Sequence, residues 1–505
     1  MAESERNTAL MMICTFFSRV LGILKNRALS VHFGAGPVAD AMNFSFNLAN
    51  SLRKLFAEGS LGQAYLPLLA EGRKDDERAE RLMNQILSLL VLIFIVLLLF
   101  SVLLGRQTVD FLGDWEDARS AAVAASLLPW FTIFLFFISS SILVQSVLQT
   151  RGRFLASALA PLMFSLVLLV SLMVLPDHIA HYSMAVGAVA GALAEFYSVF
   201  IPLRRLGFRF RLTLDFSGHD FRSVISRWIP GSLSSLVAII SQSVTMYLAS
   251  SLGTGGLSAL SNSIIFYQAP YGIVFSAVQS VFYPQLSAAA DERERALRLS
   301  SALEYLYTFL LPATLILLPL MQLMIASLLQ KGAFSAADTL LTAQVLGWYL
   351  AAMVPMSFYA MLQRLLMSRG EYRLNLLVTS LVSVLDMVLM IILMSCGCGI
   401  SSLSLATLIS STAGAVVLFV RAGDFPWKSF LRRIARITGA NALTVILALC
   451  YIKWNPQDWL AGSSIGNVMH FVFRAAVMLL STVLGYVLLR VDFITQLRSR
   501  RHGLR

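Results

Sequence analysis

Residues 18–71 read SRVLGILKNRALSVHFGAGPVADAMNFSFNLANSLRKLFAEGSLGQAYLPLLAE, and the interpretation of the whole chain starts from them. The stretch is apolar enough to lie in a lipid bilayer. It nevertheless carries several charged residues, which are Arg19, Lys25, Arg27, Asp40, Arg53, Lys54 and Glu58. A cation near the bilayer centre costs roughly 2.5–3.5 kcal/mol on insertion scales, so three that faced lipid would cost on the order of 8–10 kcal/mol. A water-filled cavity and a bound anionic ligand are the two features that offset the cost of burying these cations.

The composition excludes a soluble globular protein. Of 505 residues, 57% are hydrophobic and 13% are charged, and the mean hydropathy is +0.75. Apolar segments of about 20 residues recur along the chain, which is the pattern of membrane-spanning helices. The net charge of +12 comes mainly from short loops, and no nucleic-acid motif is present. The first segment, MAESERN, has no signal-peptide cleavage pattern, so we expect the first span to be retained.

We count fourteen predicted spans, and the distribution of basic residues between their loops predicts the orientation. Alternate loops hold roughly 27 Lys and Arg, whereas the opposite loops hold about four, which predicts that both termini are cytoplasmic. Gly59 and Pro67 interrupt the second span, and Pro270 and Pro284 interrupt the eighth. Such breaks are tolerated in membranes where the backbone is buried in protein or lines a cavity.

Two short matches predict an internal repeat. Residues 148–154 (LQTRGRF) recur at 366–372 (LMSRGEY), and residues 78–82 (RAERL) recur at 295–299 (RALRL). The predicted domains are a six-helix lobe at 1–203, an amphipathic cytoplasmic linker at 204–222, a six-helix lobe at 223–421, and two extra spans with a basic tail at 422–505. An even number of spans gives both lobes one orientation, with a substrate site between them near mid-membrane.

The cations of the first two spans are the candidate binding residues. Arg19 lies near mid-depth, and its planar guanidinium matches the oxygens of a phosphate, as does that of Arg53. Alternatives stay open. Lys25 and Arg27 have stems long enough to reach the interface, and Arg53 and Lys54 fit the end of a re-entrant segment in cytoplasmic water.

Three acidic residues have two interpretations each. Asp40 and Glu58 belong either to the binding site or to structural ion pairs with the cations. Asp386 is an isolated charge in the eleventh span, which makes it a candidate for binding a coupling cation or relaying a proton. Its alternative role is structural, as an acceptor for hydroxyls such as those of Ser380 and Ser383.

Enzyme chemistry has no support in the sequence. We find no P-loop, no H-E-x-x-H and no G-x-S-x-G. Cys14 and Cys450 lie in apolar runs, and the pair Cys396 and Cys398 lacks the further ligands that a metal needs. We therefore expect a non-enzymatic protein with no catalytic residue, no metal and no cofactor, driven by a Na⁺ or H⁺ gradient, the membrane potential or the substrate gradient.

The run FGAG…DA…LRKLFAEG…QAYLPLLAE closely resembles the MurJ (MviN) family of lipid II flippases, in the multidrug/oligosaccharidyl-lipid/polysaccharide exporter superfamily. The resemblance covers the whole chain and implies two lobes around a cationic cavity plus two helices that form a groove for a lipid tail. It implies transport of undecaprenyl-diphosphate carrying a disaccharide-pentapeptide in the bacterial inner membrane, with proteins of cell wall synthesis as further partners. By this likeness, Arg19, Lys25 and Arg53 match cations that face the diphosphate, while Asp40 and Glu58 match acidic positions of the same motif.

One departure separates the sequence from the family pattern. Members commonly carry an Asp-Arg pair a few residues before the proline of the eighth span, where this chain has Ile264 and Ile265. This difference implies either a flippase whose binding site is rearranged or a relative that carries a different lipid. Two other functions therefore stay open, namely a polysaccharide-lipid or drug exporter of the same superfamily, and a membrane scaffold that transports nothing.

Overall fold

The computed structural model describes residues 2–56, 76–151, 153–454 and 464–491, and those residues form helices without any strand. Ten of the described helices are long and apolar enough to cross a membrane, and a bent helix pair brings the number to eleven. The prediction of an all-helical, multi-pass membrane protein is confirmed. The count of fourteen spans and the breaks at Gly59 and Pro67 fall partly outside the described residues, so they stay predictions.

The chain divides into two compact units, Met1–Ser258 and Ala259–Arg505. Among the described residues, the first unit contains a four-residue helix at Pro176–Ile179 and eight longer helices: α1 (Ala2–Phe33), α2 (Pro37–Phe56), α3 (Asp76–Leu103), α4 (Gly105–Leu112), α5 (Ala118–Thr150), α6 (Phe154–Val174), α7 (Tyr182–Arg205) and α8 (His219–Ser250). The division falls later than the predicted linker because α8 packs on α2, α3 and α4. The lobe boundaries derived from the repeat stay a prediction.

The second unit begins within the next helix and holds the rest of the chain. Its helices are α9 (Gly256–Ser287), α10 (Glu292–Leu329), α11 (Ala336–Ser368), α12 (Tyr372–Ser395), α13 (Ser401–Phe419), α14 (Trp427–Ala440), α15 (Ala442–Trp454) and α16 (Ser464–Leu488). The same packing pattern occurs inside each unit. In the first, α7 packs on α5 and α6, and in the second, α13 packs on α11 and α12. The recurrence supports the repeat that the sequence predicts.

The turn between α1 and α2 follows directly from its residues. Gly34 adopts a positive φ of 63°, a conformation that side chains with a Cβ rarely adopt, and it ends α1. Pro37 then begins α2 at the first helical position, where its missing N–H costs no hydrogen bond. Within α2, Ser45 donates a hydrogen bond to the carbonyl of Ala124 on α5 at 2.8 Å, which ties the two helices together.

The predicted linker is not helical between residues 206 and 218, where the chain runs along α3. Asn84 both donates to the carbonyl of Arg209 and accepts from the backbone N–H of Arg211, at 3.0 and 3.1 Å. Gln85 donates to the carbonyl of Asp215 at 2.8 Å. Side chains of α3 therefore supply hydrogen-bond partners to the backbone of this non-helical segment, in place of those that a helix would have provided.

The thirteenth predicted span, residues 434–453, is two helices, α14 and α15, that meet at an angle of 45°. Asn441 lies buried at the junction and donates to the carbonyl of Ile437 and to the hydroxyl of Tyr486 on α16, at 2.9 and 3.3 Å. Thr482 donates to the other end of the same amide at 3.2 Å. A buried amide with these partners stabilises the bend, because each of its polar groups is satisfied there.

Candidate functional site

Lys25 is brought against the aromatic core of the first unit. Its Nζ atom lies 4.9 Å from the ring centroid of Phe46 on α2, which is a cation–π contact. Phe46 packs in turn against Phe131 and Phe134 of α5, with ring centroids 5.6 and 5.7 Å apart. The lysine head is therefore stabilised by protein, as a cation at membrane depth requires.

Arg53 lies on the same face of α2 as Phe46. Seven residues separate the two, which is two helical turns, so their side chains leave the helix in nearly the same direction about 10 Å apart along the axis. Arg53 is half-buried. The Nζ atom of Lys25, a residue of α1, therefore lies against Phe46 on the face of α2 that also carries Arg53.

The other predicted residues of this region fall into two groups. Arg27 and Lys54 are described and half-buried. Arg19 lies within α1, but its side chain is outside the described part of the chain, as is the whole of Glu58. The roles assigned to these four residues stay predictions.

Asp40 lies at the opposite end of α2 from Arg53, thirteen residues and about 20 Å along the helix. Its side chain is 5% exposed and accepts hydrogen bonds from the backbone N–H groups of Gly255 and Ser258, at 2.6 and 2.8 Å. Those N–H groups belong to the beginning of α9, where a carboxylate is favoured by the helix dipole. The structure does not bring Asp40 together with Arg53, and its geometry is that of a helix cap.

Glu195 is a buried carboxylate that the sequence interpretation missed. It lies in the middle of α7, is 4% exposed, and its Oε1 accepts hydrogen bonds from Ser141 and Gln145 of α5 at 3.3 and 3.1 Å. Arg53 lies within electrostatic reach of this carboxylate. The signal that could have revealed it is the one used for Asp386, an isolated acidic residue inside an apolar span.

Asp386 lies on α12 in the second unit. Its Oδ1 accepts a hydrogen bond from Ser410 of α13 at 2.8 Å, so a neighbouring helix supplies this hydroxyl. Two buried tyrosines, Tyr267 and Tyr349, stack 4.7 Å apart within the electrostatic reach of this carboxylate. Among the described residues, no three His, Cys, Asp or Glu side chains cluster closely enough to hold a metal ion.

Ile264 and Ile265 lie in α9 and are both half-buried. They add no charge to the part of α9 where the resemblance leads one to expect an acidic and a basic residue. The cations that the structure describes at the candidate site therefore come from α1 and α2.

Two relatives in bacteria cover nearly the whole chain. A probable lipid II flippase MurJ of Borreliella burgdorferi is 26% identical over 478 residues, which is 94% of each chain. A probable lipid II flippase MurJ of Thermotoga maritima is 27% identical over 449 residues, covering 88% of this chain and 91% of its own.

Solved structures share the fold. A lipid II flippase MurJ in an inward closed conformation matches with a TM-score of 0.81 at 23% identity, over 97% of this chain and 99% of its own. An inward-facing multidrug resistance MATE family transporter of the MOP superfamily matches with a TM-score of 0.65 at 16% identity, over 80% and 93%. The model of the family described as lipid II flippase MurJ matches residues 29–485, and the chain therefore belongs to the MurJ family.

Proposed function

We propose that this protein moves lipid II, the undecaprenyl-diphosphate-linked precursor of peptidoglycan, from the inner to the outer leaflet of the bacterial cytoplasmic membrane. Membership of the MurJ family supports the substrate and the multi-pass architecture supports the location. The observation that carries the proposal to individual residues is the contact of Lys25, on α1, with Phe46 of α2, two helical turns from Arg53 on the same face of α2. Both termini are cytoplasmic in this proposal, as the basic loops predict.

The diphosphate is the part of the substrate that these cations recognise. A guanidinium donates two parallel hydrogen bonds to phosphate oxygens, whereas an ammonium acts as a compact point charge. Arg53 therefore orients the diphosphate and Lys25 adds charge, with Arg19 as a third cation by family likeness. The headgroup crosses the membrane in an alternating-access cycle that makes and breaks no covalent bond, so the protein acts as a transporter rather than as an enzyme.

Asp386 is the proposed coupling-ion residue. A carboxylate with a neighbouring hydroxyl offers the oxygen ligands that a hard cation such as Na⁺ prefers, and the same carboxylate accepts a proton. Replacing Asp386 by Asn keeps a hydrogen-bond acceptor for Ser410 but removes the charge. Transport that depends on a Na⁺ or H⁺ gradient in the wild-type protein is expected to lose that dependence in the variant.

The experiment that tests the proposed function replaces Arg53 or Lys25 by Ala in cells depleted of the native flippase. Loss of a charge-assisted interaction of about 1.5–3 kcal/mol weakens substrate binding by roughly 10- to 150-fold, so lipid II accumulates on the cytoplasmic side. The matched control is Arg432→Ala, which removes an exposed cation of α14 in the second unit.

Three outcomes separate the candidate functions. Lipid II translocation at the wild-type rate in both site variants, at equal protein levels, contradicts the proposal. Accumulation of a cationic dye on depletion, with lipid II unchanged, indicates a drug exporter of the MATE type. If depletion changes neither the amount of cytoplasmic-side lipid II nor the amount of dye, the protein is a membrane scaffold that transports nothing.

A further inference from the structure

In its ionised form, the buried carboxylate of Glu195 needs a charge partner. Residue 195 is the fourteenth of the 24 residues of α7, which places it far from both ends of a predicted span. Its Oε1 atom accepts hydrogen bonds from Ser141 and Gln145, two neutral residues. Gln145 also donates to the hydroxyl of Ser141 at 3.1 Å, which links the two donors. Neutral donors offset only part of the cost of burying an ionised carboxylate, and a nearby cation supplies the rest.

The packing of α2 on α5 places Arg53 at the level of Ser141. Phe46 contacts Phe131 and Phe134, and Ser45 contacts the carbonyl of Ala124, so the contacts advance along both helices in the same direction. Arg53 lies seven residues beyond Phe46, and Ser141 lies seven residues beyond Phe134.

Each step of seven residues rises by about 10 Å along a helix. The backbone positions of Arg53 and Ser141 therefore lie at about the same depth, and an electrostatic interaction between Arg53 and Glu195 agrees with this register.

We propose that Glu195 is a resident counter-ion of Arg53, and that the diphosphate of the substrate competes with it for the guanidinium. This inference rests on the proposed function, because it requires that Arg53 contacts the diphosphate. In the empty protein, Glu195 compensates a cation that hydrocarbon would otherwise disfavour. Because the carboxylate stays beside Arg53 in the loaded protein, it also weakens the hold on the diphosphate and promotes release. Glu195 is thus a positioning residue that sets the balance between binding and release.

The alternative role of Glu195 is purely structural, as a tie between α7 and α5. The variant Glu195→Gln distinguishes the two roles because glutamine keeps a side-chain oxygen for the donors Ser141 and Gln145 but carries no charge. A counter-ion role predicts tighter diphosphate binding and slower turnover in this variant. A structural tie predicts equal or weaker binding together with loss of stability.

The test measures binding of undecaprenyl diphosphate to the full chain in detergent, with undecaprenyl alcohol as the uncharged comparison. We expect Glu195→Gln to bind the diphosphate about tenfold more tightly, the size of one charge-assisted interaction, and to translocate lipid II more slowly. The gain should vanish in the Arg53→Ala background. Glu195→Asp keeps the charge, so it should bind the diphosphate with nearly wild-type affinity. If substitution at residue 195 merely loosened the site, the affinity of Glu195→Asp would change as well.

The outcomes separate this inference from the proposed function. If Arg53→Ala alone leaves diphosphate affinity unchanged, the proposed contact of Arg53 fails. If Arg53→Ala weakens binding but Glu195→Gln does not strengthen it, or strengthens it equally without Arg53, the counter-ion role is overturned.

A stability measurement keeps the inference testable if Glu195→Gln folds poorly. Arg53→Gln alone leaves a buried carboxylate with less compensation, so its thermal midpoint should lie below that of the double variant Arg53→Gln/Glu195→Gln, in which both charges are removed together. A double variant no more stable than Arg53→Gln would contradict the pairing.

Discussion

Replacing Asp40 by Ala is expected to destabilise the first unit strongly. The side chain is 5% exposed and accepts two backbone hydrogen bonds, from Gly255 at 2.6 Å and Ser258 at 2.8 Å. Alanine leaves both N–H groups without this acceptor in a buried setting, at about 1–3 kcal/mol each. The lost attraction between the carboxylate and the helix dipole adds about 0.3–1 kcal/mol. The total of about 2–7 kcal/mol corresponds to a change of roughly fiftyfold or more in the folded-to-unfolded ratio.

The assay is thermal unfolding of purified protein in detergent, accompanied by the steady-state level in cells. Asp40→Asn keeps one acceptor oxygen and should lose about half as much stability. A second comparison is Asn43→Ala, which removes a single side-chain hydrogen bond to the hydroxyl of Ser258 at 3.2 Å and should cost about 1 kcal/mol.

The same variants test the site prediction for Asp40. Because Asp40 lies about 20 Å along α2 from Arg53, the fraction of Asp40→Asn protein that folds should bind the diphosphate with wild-type affinity. An unchanged thermal midpoint in Asp40→Ala refutes the capping argument. Lost diphosphate affinity in stably folded Asp40→Asn would instead place Asp40 in the binding site.

Two further predictions concern helix packing and pH. A Cβ at Gly485 lies 1.8 Å from the carbonyl oxygen of Ala440, so Gly485→Ala should cost about 1–3 kcal/mol in thermal unfolding. Gly439→Ala, whose Cβ meets nothing closer than 3.7 Å, should be neutral or stabilising, and equal effects would contradict the close approach. Hydrogen bonds from Arg78 at 2.5 and 2.6 Å lower the pKa of Asp220, so this pair should stabilise by about 0.5–1 kcal/mol above pH 4 and lose its effect as the pH falls through the lowered pKa. The stability difference between wild type and Asp220→Asn should therefore shrink in acid, and a difference independent of pH would exclude the pair.

The class of fold could be predicted from the sequence because lipid leaves little choice. Every backbone polar group in hydrocarbon must be satisfied within the segment, so long apolar runs have to be helices. Bends were harder to predict. The junction at Asn441 depends on the hydroxyls of Thr482 and Tyr486, which lie more than forty residues away in the chain. An apolar run containing one amide does not show whether such partners exist, so residues 434–453 were interpreted as a single span.

The candidate site stays a prediction. The cationic pattern singles out Lys25 and Arg53, whose charges stand out in an apolar stretch. Glu195 and Arg474 carry the same signal in later spans but were not singled out. Arg474 lies 4.7 Å above the ring of Tyr451, a contact that stabilises a cation within the helices of the second unit. Isolated charges in every span, and not only in the stretch that resembles a family, therefore merit attention.

On α2, the kind of partner distinguishes the structural charge of Asp40 from the charge of Arg53, the proposed contact of the diphosphate. Asp40 is bound by backbone N–H groups that follow Gly253 and include Gly255, two residues with φ near 90°, and this loop conformation fixes the donors in place. In our proposal, Arg53 pairs with the side-chain carboxylate of Glu195, which another anion can replace without any change in the backbone. In the sequence, Asp40 and Arg53 are both charges within one apolar helix, and nothing there shows which of them is structural. The folded chain separates them, since a helix cap must stay bound for the protein to stay folded, whereas a transport site must be able to release its ligand.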